Sequence, residues 1–194
     1  EMWYVMQADK GAELIVGFDE KIDTNSYKTH LENNTILDVM HHETVQKGDT
    51  FYIPTGRVHA IGAGVLLAEI QQTSDVTYRV FDFNRKDKEG NLRELHTDLA
   101  LDAIDYERKD DFKVTYPKER NAVNAMVDCP YFKTNFLDLD KDIVFDTKHR
   151  DSFTIFMCVA GAATIGNAFG KVTIQKGETT LLPANSDKID IRTN

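Results

Sequence analysis

Short runs in which apolar and polar residues alternate, divided by turn residues, recur along this chain. Alternation with a period of two predicts β-strands, because successive side chains of a strand point to opposite faces of its sheet. Together the runs predict a mainly β chain that forms antiparallel barrels. They lie at residues 2–7, 12–18, 35–40, 49–54, 64–72 and 76–83, and then at 131–139, 151–161, 162–167, 170–175 and 179–183.

One segment departs from the strand pattern and predicts a short helical connection. Thr97 can cap a helix, Asp98 suits its positive end, and Leu99 and Ile104 fall on one apolar face at helical spacing. We therefore expect one helix from about residue 97 to about residue 106. The charged residues that follow are expected to be a solvated connection.

A ten-residue stretch occurs twice, 129 residues apart, as VQKGDTFYIP at 45–54 and IQKGETTLLP at 174–183. Such internal similarity predicts two related barrels. We expect a first barrel at 1–84, a connection at 85–120 and a second barrel at 121–194. The first copy carries a polar segment at 18–34 that the second lacks, and we place it as an insertion outside the barrel.

The stretch GDTFYIPTGRVH, from Gly48 to His59, has the residue types of a turn, a strand end and a ligand. Gly48 suits a hairpin turn, Pro54 ends a strand, and Gly56 suits a backbone conformation that few other residues adopt. In the second copy His59 is replaced at the same offset by Lys188, which cannot ligate a metal while protonated. We therefore expect chemistry in the first barrel and a structural role for the second.

Composition limits the classes of partner. A length of 194 residues with 41 % hydrophobic content suffices for ordered cores. A net charge of −9 argues against nucleic acid or an anionic membrane as main partner, and no run of 18 apolar residues occurs. Cys129 and Cys158 lack metal-type spacing and are expected to be free thiols. The expected location is cytoplasmic.

The stretch from Gly48 to His59 resembles the second motif of the cupin superfamily, G-x5-P-x-G-x2-H, with Ala63 where that motif has asparagine. With EMWYVM at 1–6, the block that runs from Pro54 through VFDFNR, and LHTDLALDAID at 95–105, it resembles the bacterial branch of type I mannose-6-phosphate isomerases. The resemblance implies two cupin-type antiparallel β-barrels, also described as a double-stranded β-helix or jelly roll.

The resemblance also implies a reaction and part of its site. It implies an isomerase with one Zn²⁺ per chain that interconverts mannose 6-phosphate and fructose 6-phosphate through an enediol. By position in the family's motifs, Glu1 and His59 correspond to metal ligands and Arg79 to a catalytic arginine. The family's remaining ligands, a Gln-x-His pair, precede that glutamate and are not among the 194 residues.

Two further site residues are inferred from the chain itself. Strand alternation places Glu69 on one face with Leu67 and Gln71, where a carboxylate near the metal can move protons. Arg57 is suited to bind a substrate phosphate, although an exposed turn arginine is an equal alternative.

Other interpretations stay open at this point. The main alternative is a catalytically inactive phosphosugar-binding cupin, and an iron oxygenase is disfavoured because the chain has no His-x-His. Arg79 has a surface alternative, an ion pair with Asp75 or Asp82. Adjacent His41 and His42 point to opposite faces of a strand and are poor joint ligands. Exposed strand edges make a homodimer plausible.

Overall fold

Strands dominate the computed structural model, which describes residues 1–74 and 76–193. The chain divides into two compact units, Glu1–Val114 and Thr115–Asn194, called here the first and second unit. The prediction of a mainly β fold is confirmed, whereas the boundaries at 84 and 120 stay a prediction. Within the described part of the chain, no helix is long and apolar enough to cross a membrane.

The first unit forms two antiparallel sheets. One has the strand order β4-β1-β6 and the other β3-β2-β5. A helix, α1, and a short 3₁₀ helix connect β2 to β3, and a second helix, α2, follows the strands. The elements are β1 Met2–Ala8, β2 Glu13–Phe18, α1 Thr24–Glu32, the 3₁₀ helix Ile36–Val39, β3 Met40–Thr44, β4 Thr50–Tyr52, β5 His59–Ile61, β6 Val65–Ile70 and α2 Thr97–Leu101.

Strand β2 is buried on both faces. Leu14 and Val16 pack with Trp3 in one apolar cluster, while Ile15 and Phe18 pack in a second cluster on the other face. This double burial explains why the run from 14 to 18 is almost continuously apolar. The candidate site lies on the face of β2 that packs against Trp3.

The polar segment at 18–34 lies between β2 and β3, as predicted, but it also contributes a helix to the core. Asp23 and Ser26 form a reciprocal capping box that begins α1. Tyr27 is fully buried and packs with Ile22 and Phe18 on the outer face of β2. Its hydroxyl has no hydrogen-bond partner among the described residues.

Two of the strand predictions are wrong. In the run at 35–40, Ile36–Val39 form a 3₁₀ helix in which Ile36 and Val39 are both buried, and β3 starts only at Met40. No strand is assigned at 76–83, where Phe83 has a left-handed φ of +54° and ends the extended run in a turn. Short apolar runs do not by themselves distinguish these outcomes from a strand.

Helix α2 is shorter than the predicted helix at 97–106. It ends at Leu101, and His96 occupies the N-cap, so Thr97 does not cap it. Ala100 and Leu101 are buried whereas Leu99 is 62 % exposed, so the predicted apolar face is also wrong.

The second unit repeats the strand pairing of the first. Its sheet order β12-β11-β14-β9 contains the counterpart of β3-β2-β5, and the pair β10-β13 corresponds to β1-β4. The strands are β7 Asn124–Asp128, β8 Lys133–Phe136, β9 Ile143–Asp146, β10 Thr154–Met157, β11 Ala162–Asn167, β12 Gly170–Gln175, β13 Thr179–Leu182 and β14 Lys188–Thr193. Strands β7, β9 and β14 were not predicted from the sequence.

The repeated turn is reproduced at the level of single hydrogen bonds. The Gly48 N–H donates to the carbonyl of Val5 at 2.9 Å, and the Gly177 N–H donates to that of Cys158 at 2.8 Å. Both glycines have a left-handed φ, +92° and +90°. Cys158, which follows β10, is therefore the counterpart of Val5, and both cysteines of the chain are free, as predicted.

After this turn the two copies differ. In β14 Ile189 and Ile191 are buried, while Lys188 is exposed. In β5 the strand begins at His59, as the motif predicts. The second unit thus places an aliphatic side chain in its core after the turn and leaves the lysine in solvent.

Gly56→Ala is expected to destabilise the first unit by about 3 kcal/mol, because it combines backbone strain with a steric clash. Gly56 has a φ of +91°, and an added Cβ would lie 2.4 Å from the carbonyl oxygen of Ala103. Gly90→Ala is the matched control, since Gly90 has a φ of +86° but open space around it. Urea denaturation followed by circular dichroism should show a loss of only about 1 kcal/mol for the control. Equal losses for both variants would show that the clash with Ala103 does not exist.

Candidate functional site

Glu1 and His59 meet where β1 and β5 begin. The backbone carbonyl of Glu1 accepts a hydrogen bond from Ile53 at 2.8 Å, which anchors the residue to the strand end before the Pro54 turn. The carboxylate oxygen Oε1 of Glu1 lies 3.1 Å from Nε2 of His59. The structure therefore brings together the two residues predicted as metal ligands, although they are 58 positions apart.

The His59 ring is held in one orientation. Its Nδ1 lies 2.8 Å from the backbone carbonyl oxygen of Arg57, which can only accept, so Nδ1 carries the proton and donates. In a neutral imidazole the lone pair is then on Nε2, which faces Glu1. A histidine anchored through one nitrogen and open at the other has the usual arrangement of a metal ligand.

The contact between Oε1 of Glu1 and Nε2 of His59 is a hydrogen bond only when Nε2 carries a proton. Oε1 of Glu1 is buried and has no hydrogen-bond partner among the described residues, despite its distance of 3.1 Å from Nε2 of His59. Two acceptor atoms this close repel each other unless a proton or a cation lies between them. The pair thus forms a local site that favours positive charge.

The pKa shifts of Glu1 and His59 agree with a site that favours positive charge. Burial would lower the pKa of His59, but the neighbouring carboxylate of Glu1 and the carbonyl of Arg57 outweigh it, so the pKa is raised. Burial would raise the pKa of Glu1, but the contact with His59 outweighs it, so that pKa is lowered. The same negative potential that holds a proton on His59 would also attract a metal cation.

The donor set fits zinc in type and spacing. Zinc binds imidazole nitrogen and carboxylate oxygen at about 2.0–2.1 Å, so two such ligands at a tetrahedral angle lie about 3.3 Å apart. The observed separation is 3.1 Å. No group of three or more histidine, cysteine, aspartate or glutamate residues suited to a metal occurs in the described part of the chain. Glu1 and His59 therefore fit as two ligands of a larger set.

Glu69 lies on β6, on the same sheet face as Trp3, while His59 belongs to β5 of the other sheet. Glu69 is directly opposite Trp3 in the β1–β6 register. Its Oε2 accepts a hydrogen bond from the indole Nε1 of Trp3 at 3.1 Å. The Trp3 ring contacts His59 edge to face, with a centroid distance of 5.2 Å. The role of Trp3 was not inferred from the sequence, and its only signal there is its place two residues after Glu1 in the EMW block.

Arg79 is held by a different segment. Its Nη1 donates to the carbonyl of Glu94 at 2.9 Å, and its backbone exchanges hydrogen bonds with His96. Asp82, one of its two alternative ion-pair partners, instead binds Arg85 and Arg93. The other, Asp75, lies outside the described residues. The assignment of Arg79 to catalysis stays a prediction.

Arg57 is buried rather than an exposed turn residue. It is 9 % exposed, its Nη1 donates to the carbonyl of Tyr52 at 3.0 Å, and its guanidinium lies over the ring of Phe112. These contacts hold the turn that carries His59. Its assignment to a substrate phosphate stays a prediction, and binding there would require release of these contacts.

His41 and His42 have separate partners. His41 lies between Asp19 and Glu43, at 2.5 and 3.0 Å, whereas His42 approaches Glu13. Contact with these two carboxylates raises the pKa of His41, against the opposing effect of burial. The prediction that the two histidines do not form a joint site is consistent with this arrangement.

Two open depressions lie in the second unit, with volumes of about 470 and 370 Å³. Both are lined by the β11–β12 turn around Phe169, and neither includes Glu1, His59 or Glu69. We place the candidate site by side-chain chemistry rather than by cavity size.

Comparison with known proteins agrees with the motif. Residues 122–194 match the family model of the mannose-6-phosphate isomerase cupin domain. The chain is 31 % identical over 185 residues to mannose-6-phosphate isomerase ManA of Bacillus subtilis, covering 94 % of this chain and 58 % of that protein. It is 30 % identical over 194 residues to mannose-6-phosphate isomerase of Streptococcus mutans, covering 94 % of this chain and 57 % of that protein. The chain thus spans less than three fifths of these relatives.

Solved structures confirm the cupin-type fold. The crystal structure of mannose 6-phosphate isomerase from Bacillus subtilis matches with a TM-score of 0.86 and 26 % identity, covering 98 % of this chain and 60 % of that one. The enzyme from Salmonella typhimurium, solved with its substrate and zinc, matches with a TM-score of 0.70. At 12 % identity, with 98 % of this chain and 63 % of that one covered, this second match concerns the fold alone.

Proposed function

Because this chain is a relative of the mannose-6-phosphate isomerases and carries their cupin part, we propose that it contributes the metal-bearing cupin of a zinc-dependent aldose-ketose isomerase. The proposed reaction interconverts mannose 6-phosphate and fructose 6-phosphate through an enediol. The observation that carries the proposal is the pair of potential ligand atoms, Oε1 of Glu1 and Nε2 of His59, which lie 3.1 Å apart.

In this proposal Glu1 and His59 hold one Zn²⁺ per chain, together with ligands outside the described residues. The bound zinc would supply a Lewis acid that polarises the sugar carbonyl. His59 keeps its lone pair on Nε2 because Nδ1 donates to the Arg57 carbonyl. The backbone around His59 therefore selects the tautomer whose Nε2 can ligate zinc.

The proton transfer is assigned to Glu69. Isomerisation moves a proton between C1 and C2 of the sugar, so the site needs a group that can accept and return it. Glu69 is exposed, lies on the same sheet face as Trp3, and accepts a hydrogen bond from the Trp3 indole, whose ring contacts His59. Arg79 is assigned to the charge that develops on the enediolate oxygens, the role of a fixed guanidinium.

A second candidate is a phosphosugar-binding cupin without catalysis. It would use the same pair, Glu1 and His59, for binding alone, and the ligands beyond this pair decide between the two candidates, since catalytic zinc ordinarily uses three protein ligands. The cytoplasmic location, the homodimer and the role of Arg57 stay predictions beside either candidate.

Metal analysis combined with an isomerase assay separates the two candidates. We expect the purified protein to carry one zinc per chain, and we expect isomerisation of mannose 6-phosphate to stop on chelation and return when Zn²⁺ is added back. A protein that binds mannose 6-phosphate without metal and without conversion would favour the binding cupin and reject the isomerase.

A further inference from the structure

Trp3 touches two of the side chains assigned above. Its indole N–H donates to Oε2 of Glu69 at 3.1 Å, and its ring edge meets the imidazole of His59 at a centroid distance of 5.2 Å and an interplanar angle of 80°. Trp3 itself is 1 % exposed and lies on β1, the central strand between β4 and β6. It is the one tryptophan of the chain.

Because Trp3 is buried, its side chain is held in one position and its indole N–H needs a hydrogen-bond acceptor. The side chain packs with Val5, Val16 and Phe51, and its register partners are Phe51 on one side and Glu69 on the other. A buried indole N–H without an acceptor costs about 1–3 kcal/mol, so Glu69 is drawn to one position by the tryptophan. Glu69 is otherwise exposed, and an exposed glutamate has several free rotamers.

The second unit gives an internal comparison. When the two units are aligned on the repeated turn, Trp3 corresponds to Phe156. Its register partner Phe51 corresponds to Thr180, the register partner of Phe156. Phenylalanine fills an apolar site as well as tryptophan does but carries no N–H donor. The indole N–H donor is present in the first unit, which has the His59 imidazole. It is absent in the second unit, whose core holds Ile189 at the start of the corresponding strand. Packing alone therefore does not account for the indole.

We propose that Trp3 is a positioning residue that orients the Glu69 carboxylate through its indole N–H and the His59 ring through its edge. The inference rests on the proposed function, since Glu69 is the proton-transfer group there. Trp3 touches no reacting atom in this account. It holds the Glu69 carboxylate next to the indole ring that contacts His59, so that the carboxylate does not have to be ordered during the reaction.

The first experiment tests the contact without any assay of activity. Because the chain has one tryptophan, its indole N–H gives a single resonance in a ¹H–¹⁵N spectrum. Glu69→Ala is expected to shift this resonance and to speed its exchange with solvent at least about tenfold, while Tyr27→Phe, a change at a buried aromatic of the other cluster, should leave it in place. An unmoved resonance in Glu69→Ala would overturn the proposal.

The second experiment tests the consequence. Trp3→Phe removes the donor and keeps an aromatic ring, so we expect kcat to fall about tenfold with KM changed less than about twofold and zinc content retained. Combined with Glu69→Ala, the Trp3→Phe change should cause no further loss, because the two residues act as one unit. Independent, multiplying losses in kcat would contradict a positioning role.

Failure of the proposed function gives a different pattern from failure of this inference. If the wild-type protein does not isomerise the sugar but Glu69→Ala moves the indole resonance, the isomerase is rejected and the Trp3–Glu69 contact stands. If the protein is active and the combined variant loses kcat additively, the isomerase stands and the positioning role is rejected.

Discussion

His59→Ala is expected to remove zinc and isomerase activity together. The change deletes one of the two potential ligand atoms that lie 3.1 Å apart and leaves the half-buried Glu1 carboxylate without its neighbour. Loss of an outer partner of a metal ligand already costs about 10- to 100-fold in affinity, so loss of the ligand itself should weaken zinc binding by at least about 100-fold. The measurements are metal content after dialysis and the rate of mannose 6-phosphate isomerisation.

The control for this change is His42→Ala. His42 is also on a strand of the first unit and also lies near a carboxylate, Glu13 at 3.4 Å, but it has no part in the proposed site. It should keep both zinc and activity. Normal zinc occupancy in His59→Ala would show that the ligand assignment is wrong, even if activity were lost.

Arg79→Ala is expected to leave zinc bound and to lower kcat by about 100- to 1000-fold, the range for removal of one group that stabilises developing negative charge. The Arg79 guanidinium is tied to the carbonyl of Glu94 and not to Glu1 or His59 among the described contacts, so its removal should not disturb the ligands. Metal content and kcat are measured on the same sample.

Arg108→Ala serves as the matched control for charge. Arg108 is an exposed arginine of the same unit whose Nε donates to the carbonyl of Asp19 at 2.7 Å. It should change kcat less than about twofold, as surface substitutions usually do. If Arg79→Ala and Arg108→Ala behave alike, Arg79 is a surface residue and its catalytic assignment is rejected.

The fold was predictable where local chemistry decides it. Gly48 and Gly56 have the left-handed φ values that the motif requires, and His59 begins a strand as expected. The prediction of a strand at 35–40 is wrong because a six-residue pattern does not distinguish a strand from a 3₁₀ turn. In the 3₁₀ helix Ile36 and Val39 both face the core. Helix α1 was missed since Tyr27 and Ile22 are isolated apolar residues in a polar segment, and only the sheet beneath them explains their burial.

The candidate site was predictable as a set of residues but not as an arrangement. The motif singles out His59, and alternation singles out Glu69. Arg57, in contrast, was expected either at a phosphate or in solvent, and it is buried against Tyr52 and Phe112. The sequence of a turn does not show whether a long side chain is buried. For Arg57 burial depends on the ring of Phe112, which comes from a distant part of the chain.

The sequence by itself determined the mainly β class, the duplicated turn, the position of the histidine and the loss of that histidine in the second copy. These follow from local rules, since turns, strand alternation and ligand type act over a few residues. Tertiary structure alone decided that Glu1 lies 3.1 Å from His59 and that Trp3 contacts both Glu69 and His59. Such contacts connect residues 58 to 66 positions apart, and strand register, a property of the paired sheet, sets which of them meet.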